Sequence, residues 1–141
     1  MLNYQQAVDM RAELDRLRVR LGLCLVYAVS LDVSPSLPSP KLSLLSASNL
    51  PNPAPEFDAP LHFQALRAHE GGLLYVKKQG SDAPGYETGM LIPIMEARKI
   101  GWVLCGYSSA KRRFGAADLE EFAKTAERLE SWFPRGARSQ S

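Results

Sequence analysis

At 141 residues, 45% of them apolar, the chain is long enough to bury one hydrophobic core and too short for two ordinary domains. Its formal net charge of +2 and its interleaved acids and bases argue against a nucleic-acid or membrane binder. The polar first residues do not resemble a secretory signal, and no apolar run reaches the roughly 18 residues of a membrane span. We therefore expect a cytoplasmic protein with a single domain over residues 1–134.

The first predicted element is an amphipathic helix. Asn3 and Gln6 have the spacing of a capping box, and Gly22 follows the last apolar position. The apolar residues step by three and four alternately, which is typical of a helix that packs along one partner helix. They are Ala7, Met10, Leu14, Leu17 and Leu21.

Two strands and a short helix are predicted next. Residues 23–31 are uniformly apolar and rich in β-favouring side chains, which indicates a central strand covered on both faces. Residues 42–48 predict a second strand that pairs with it. A proline-rich stretch then leads to a short helix over residues 61–69.

The second half of the chain predicts three more strands and a closing helix. The strands cover residues 73–78, 90–95 and 100–108, and the last two form an antiparallel hairpin. The helix runs from about 116 to 133 with a wide apolar stripe, and a polar tail, 135–141, is expected to be disordered. If both long helices cover one face of the sheet, the other is left to loops and the short helix, and a ligand pocket would lie there.

The C-terminal part of the chain resembles a GAF domain. In that family an apolar strand with a Pro-aliphatic pair is followed by a turn, a glycine-containing strand, a phenylalanine, an acidic residue four positions later and a closing helix. The matching residues here are Ile92, Pro93, Ile94, Ile100, Gly101, Val103, Leu104, Phe114, Asp118 and Leu119. The resemblance implies an α+β fold with a central antiparallel sheet of five or six strands and its terminal helices on one face. It also implies a regulatory or sensory module.

The sequence lacks the cofactor-binding signatures of the family. Cyclic-nucleotide-binding GAF domains carry an Asn-Lys-Phe-Asp-Glu signature, of which only Phe114 and Asp118 match, and neither cysteine has the neighbouring histidine often found beside bilin-binding cysteines. We therefore expect no cofactor. Phe114 is interpreted as packing beneath the sheet, and Asp118 as stabilising the positive end of the last helix.

Two cysteines supply an alternative function. Cys24 and Cys105 lie in predicted strands, whereas GAF-type free methionine sulfoxide reductases use cysteines on loops. If the two strands are adjacent, the thiols could lie close enough to oxidise to a disulfide. The alternative function is therefore a thiol-based redox protein. Buried thiols nevertheless lack the exposed, electropositive surroundings that reactivity requires, so we expect no enzyme.

The remaining candidate residues concern ligands and partners. A segment of about a dozen residues joins the third and fourth strands and can cover only a small ligand, for which His62 and Tyr86 are the predicted contacts. His62 and His69 are seven residues apart on one helix, about 10 Å along its axis, and cannot hold one metal together. The terminal helices carry more apolar surface than one sheet face needs, which predicts a homodimer. Its predicted contacts are Met10, Leu14, Leu17 and Leu129.

A protein-interaction adaptor of the roadblock or longin kind is the remaining alternative. Such domains share much of this element order, and they work by contacts with a protein partner that the sequence does not identify. Roadblock domains have a long middle helix, whereas the proline-flanked helix here supports two or three turns.

Overall fold

The computed structural model describes residues 2–32, 41–52, 59–68, 73–76, 86–97 and 99–133. Within them the elements follow the predicted order. They are α1 (Tyr4–Leu21), β1 (Leu25–Asp32), β2 (Lys41–Ser48), α2 (Ala59–Arg67), β3 (Leu73–Val76), β4 (Thr88–Ala97), β5 (Ile100–Ser108) and α3 (Ala116–Glu130). The strands form one antiparallel sheet in the order β2-β1-β5-β4-β3, which confirms the predicted α+β class.

Some element bounds differ from the predicted ones. β4 continues two residues beyond the predicted end, because a bulge between Pro93 and Met95 lets the strand pass the proline and keep its pairing with β5. The helix α2 begins two residues earlier than predicted. His69, Lys77, Lys78 and the tail from residue 134 lie outside the described residues.

The two long helices pack on the same face of the sheet, as predicted. Successive strand residues point to opposite faces, so Val26 and Ala28 of β1 and Leu104 of β5 share this first face. They join Phe122 of α3 and Leu14 of α1 in one buried core. No helix among the described residues is long and apolar enough to cross a membrane.

The four residues predicted as dimer contacts lie inside this core. Met10, Leu14 and Leu129 are completely buried and Leu17 is 2% exposed. The chain's own sheet and helices cover the seam of α1, so these side chains leave no surface for a second copy. Self-association remains a prediction, but other residues have to provide its contacts.

Charged residues join the two long helices. Glu13 of α1 is buried, and its carboxylate accepts a hydrogen bond from Nε of Arg128 at 2.8 Å and pairs with Arg16. Arg20 reaches Glu121 at 2.9 Å. A buried carboxylate is tolerated when it is paired, and Glu13 has two partners, of which Arg128 is the one that joins α1 to α3.

The helix ends have the chemistry expected from the sequence. Asn3 and Gln6 form the predicted capping box, and Gly22 ends α1 in the left-handed conformation at φ 67°. Although burial acts to raise the pKa of Asp118, the Gly115 N–H and the Arg112 guanidinium hold that pKa below its ordinary value. The structural interpretation of Asp118 as a helix-start residue is therefore confirmed.

Gly106 of β5 allows α3 to approach the sheet. A Cβ added there would lie 2.7 Å from Cζ of Phe122 and 3.0 Å from Cδ1 of Leu23. Phe122 is completely buried, and Phe114 packs edge-on against its ring. The place predicted for Phe114 beside the last helix is thus explained by packing.

We expect Gly106→Ala to lower the free energy of unfolding by about 1–3 kcal/mol, because the ring of Phe122 cannot move without disturbing the core. Urea denaturation measures the change. Gly115→Ala is the matched control, since its new Cβ meets nothing within 4 Å. Equal unfolding midpoints for the two variants would show that the packing argument is wrong.

Candidate functional site

On the second face of the sheet, a polar cluster interrupts the apolar packing. Tyr27, in the middle of β1, is 1% exposed, and its hydroxyl oxygen lies 2.7 Å from Nε2 of His62 on α2. The same hydroxyl donates to the Tyr107 hydroxyl on β5 at 3.3 Å. One helix and two neighbouring strands thus bring three polar side chains together, and we call them the Tyr27 cluster.

The register of β1 against β5 assembles the cluster. Leu25 lies opposite Tyr107, and Tyr27 lies opposite Cys105. Because side chains alternate across a sheet, these residues share the second face. Tyr27 and Tyr107 are diagonal neighbours whose rings stack at 5.9 Å between centroids with 19° between planes.

A glycine on β4 makes room for the Tyr107 ring. Gly89 lies opposite Tyr107, and a Cβ added to Gly89 would be 2.4 Å from Cδ1 of that ring. Tyr86, two residues before β4, stacks against the Tyr107 ring with 5.4 Å between centroids. A row of three aromatic rings therefore leads from half-buried Tyr86 to the buried imidazole of His62.

Apolar and charged contacts hold α2 over the cluster. His62 and Leu66 are four residues apart and share one face of the helix. Leu66 packs over Gly101 of β5, where an added Cβ would lie 2.3 Å from the Leu66 side chain. Arg67 binds the carboxylate of Glu96 with distances of 2.9 and 2.7 Å. These contacts fix the position from which His62 reaches Tyr27.

The Tyr27 hydroxyl is kept protonated. Burial raises its pKa far above the ordinary value, and the neighbouring Cys105 and Tyr107 raise it further. A phenol has one proton, so the Tyr27 hydroxyl donates to one of its neighbours and accepts from the others. When it donates to Tyr107, Nε2 of His62 is in position to donate to it.

The two cysteines lie near the cluster without forming a pair. Cys105 is completely buried, and burial raises the pKa of its thiol even though the Tyr27 hydroxyl acts to lower it. Burial also raises the pKa of Cys24, whose thiol donates to the carbonyl of Tyr107 at 3.2 Å. The strands β1 and β5 are adjacent, as the redox alternative requires, but Cys24 lies just before β1 and not within a strand as predicted. It comes three residues before Tyr27, the partner of Cys105, which is about 10 Å along the strand. A disulfide needs Cα atoms within about 7 Å, so these thiols are too far apart to oxidise to one.

Both residues predicted as ligand contacts therefore lie at one place on the second face. His62 is inside the Tyr27 cluster and Tyr86 is at its outer end. Tyr27, Tyr107 and Gly89 were missed, because in the sequence Tyr27 is one more β-favouring residue of an apolar strand. Its polar role depends on the position of α2, which no local pattern specifies. Ligand binding by these residues remains a prediction.

We expect Tyr27→Phe to lower the free energy of unfolding by about 1–3 kcal/mol, because the change removes a buried partner of both His62 and Tyr107. Urea denaturation followed by circular dichroism measures it. Tyr4→Phe is the control, since Tyr4 is exposed and its hydroxyl loss should leave stability within about 0.5 kcal/mol. A Tyr27→Phe variant as stable as this control would contradict the cluster.

The raised thiol pKa values predict slow modification of the folded protein. Because the reactive form is the thiolate, Cys24 should be alkylated more slowly than a free thiol, and its rate should keep rising with pH above the ordinary cysteine range. Cys105 should react only after unfolding, when mass spectrometry should show a second label. Rapid labelling of both thiols in the native protein would contradict these assignments.

No protein-family model matches the sequence, and comparison with curated proteins gives no match. Solved structures do resemble it. A free methionine-R-sulfoxide reductase from Neisseria meningitidis, in complex with its substrate, is 15% identical with a TM-score of 0.68, over 95% of this chain and 81% of that one. A GAF domain of Synechocystis in its photoproduct state is 16% identical with a TM-score of 0.64, over 96% and 99%.

A third similar structure is the GAF domain of a phosphoenolpyruvate-protein phosphotransferase from Coxiella burnetii. It is 11% identical with a TM-score of 0.62, over 96% of this chain and 87% of that one. Sensory domains and enzymes thus share the architecture. At these identities the comparisons concern the fold, and the chain has the fold of GAF domains.

Proposed function

We propose that the chain is a non-catalytic regulatory module that binds a small ligand beside the Tyr27 cluster. The observation that carries this proposal is the buried hydrogen-bonded network of Tyr27, His62 and Tyr107 on an otherwise apolar sheet face. Polar groups in a core cost free energy unless every one is satisfied, and apolar side chains of the same size would pack there without that demand. A polar network that this face does not need for its packing supports a role in recognition.

The chemistry of the cluster indicates the kind of ligand. Tyr86, the half-buried end of the aromatic row, offers its ring and its hydroxyl, whereas the hydroxyl and imidazole groups behind it are buried and hydrogen-bonded to one another. Only nine residues separate Val76 of β3 from Tyr86, so the chain has little length with which to enclose a large molecule. The preferred ligand is a small, mostly apolar or aromatic compound with one hydrogen-bonding group.

The state of the cysteines supports the non-catalytic part of the proposal. Thiol chemistry requires a thiolate, and burial raises the pKa of both Cys24 and Cys105. The reductases of the same fold carry out a reaction that this pair is poorly placed to perform. Two free thiols also fit a reducing cytoplasm, which we propose as the site of action.

The ligand proposal is tested first by native mass spectrometry of freshly purified protein, which reports any retained compound. A thermal-shift screen of small aromatic compounds, each with one hydrogen-bonding group, follows. We expect at least one compound to raise the melting temperature of the wild type. Tyr86→Ala should weaken its binding by about tenfold or more, because the outer stacking ring is lost.

Val19→Ala is the control, since Val19 is 70% exposed on α1, far from the Tyr27 cluster, and its loss should leave binding unchanged. Binding that both variants retain would place the ligand elsewhere. Turnover of free methionine sulfoxide that stops in Cys24→Ser or Cys105→Ser would establish the redox alternative and refute the non-catalytic role.

A further inference from the structure

Exposed apolar side chains gather at one edge of the molecule. Among the described residues six large hydrophobic side chains are exposed, and four of them line a groove of about 580 Å³ between α1 and β2. Tyr4 is 84% exposed, and the other three are between 36% and 43% exposed. We call Tyr4, Val8, Leu44 and Leu50 the edge patch. Contiguous exposed apolar surface of this kind marks an interaction site more often than scattered single residues do.

The edge patch borders an open strand. β2 ends the sheet, and no described strand pairs with its outer side. Its eight residues contain a single charged side chain, Lys41 at the start. Proteins usually protect an exposed strand edge with charges or prolines, because free N–H and C=O groups otherwise pair with another strand. The register of β2 against β1 shifts between Ala28 and Val29, but no proline and no second charged residue interrupts β2 itself.

The charges beside the edge patch are self-complementary. Arg11 lines the groove, and its Nε lies 4.0 Å from the carboxylate of Asp15 one turn later on α1. The Arg11 side chain is 66% exposed and the Asp15 side chain 45%, and one oxygen of the Asp15 carboxylate also accepts a hydrogen bond from Ser48. A twofold axis reverses the order of such a pair, so that the Arg11 of one copy approaches the Asp15 of the other. The same reversal lets an antiparallel strand edge pair with itself.

We propose that two copies of this chain associate through the edge patch, with the outer edges of their β2 strands paired antiparallel about a twofold axis. The pairing extends the sheet across both copies and gives the outer edge of β2 a strand partner. Tyr4, Val8, Leu44 and Leu50 of the two copies cover one another, and each Arg11 approaches the partner's Asp15. This interface uses none of the buried residues first expected to form it.

The interface is independent of the proposed ligand site. The edge patch consists of residues on α1 and near β2, whereas His62 and Tyr107 lie on α2 and β5. A failed ligand screen therefore leaves the interface standing, and a monomeric protein leaves the ligand proposal standing.

The test is sedimentation and light scattering of the full chain at tens of micromolar. We expect the wild type to have twice the chain mass of 15.6 kDa. Val8→Lys and Leu44→Lys should each weaken the dimer by more than about tenfold, because they place a positive charge in the apolar interface. Circular dichroism and melting temperature confirm that the variants are folded.

Val19→Lys is the matched control: Val19 is also on α1, is 70% exposed, and does not line the groove. It should remain dimeric. A monomeric wild type would overturn the proposal and leave the groove to a partner of another kind. A dimer that survives both Val8→Lys and Leu44→Lys, or that Val19→Lys disrupts equally, would also overturn it.

Discussion

The antiparallel pairing of β1 with β5 is the constraint on which the rest of this structure depends. Both strands are buried on both faces, so each supplies one set of side chains to the helices and another to the opposite face. Val26 and Leu104 contribute to the core beneath α1 and α3, while Tyr27 and Tyr107 meet His62 beneath α2. A shift of one residue in this register would exchange the two sets and destroy both.

The sheet also shows how a buried polar cluster is accommodated. Three glycines let neighbouring groups approach the backbone: Gly106 receives Phe122, Gly101 receives Leu66, and Gly89 receives the ring of Tyr107. The contact between Gly106 and Phe122 concerns only the packing of the core. The other two position α2 and Tyr107, on which the geometry of the Tyr27 cluster depends. Glycines that allow close packing therefore support the core on one face of the sheet and the proposed ligand site on the other.

The sequence predicted the fold to a large extent, because hydrophobic periodicity and caps are local signals. The bounds of α1, the burial of β1 on both faces and the shared face of the long helices all follow from such patterns. The Tyr27 cluster depends on the register of two strands 80 residues apart in sequence, which no local pattern encodes. For the same reason the spacing of Leu14 and Leu17 predicts contact with a second copy, although the chain's own sheet covers both side chains.

The most direct test of the account is long-range ¹H–¹⁵N NMR of the His62 imidazole combined with nuclear Overhauser measurements to the Tyr27 hydroxyl. The account predicts a single imidazole tautomer, a slowly exchanging hydroxyl proton on Tyr27, and a cross-peak between that proton and the His62 ring. An imidazole with rapidly exchanging tautomers and no contact with Tyr27 would contradict the buried polar cluster, and with it the site on which the proposed function rests.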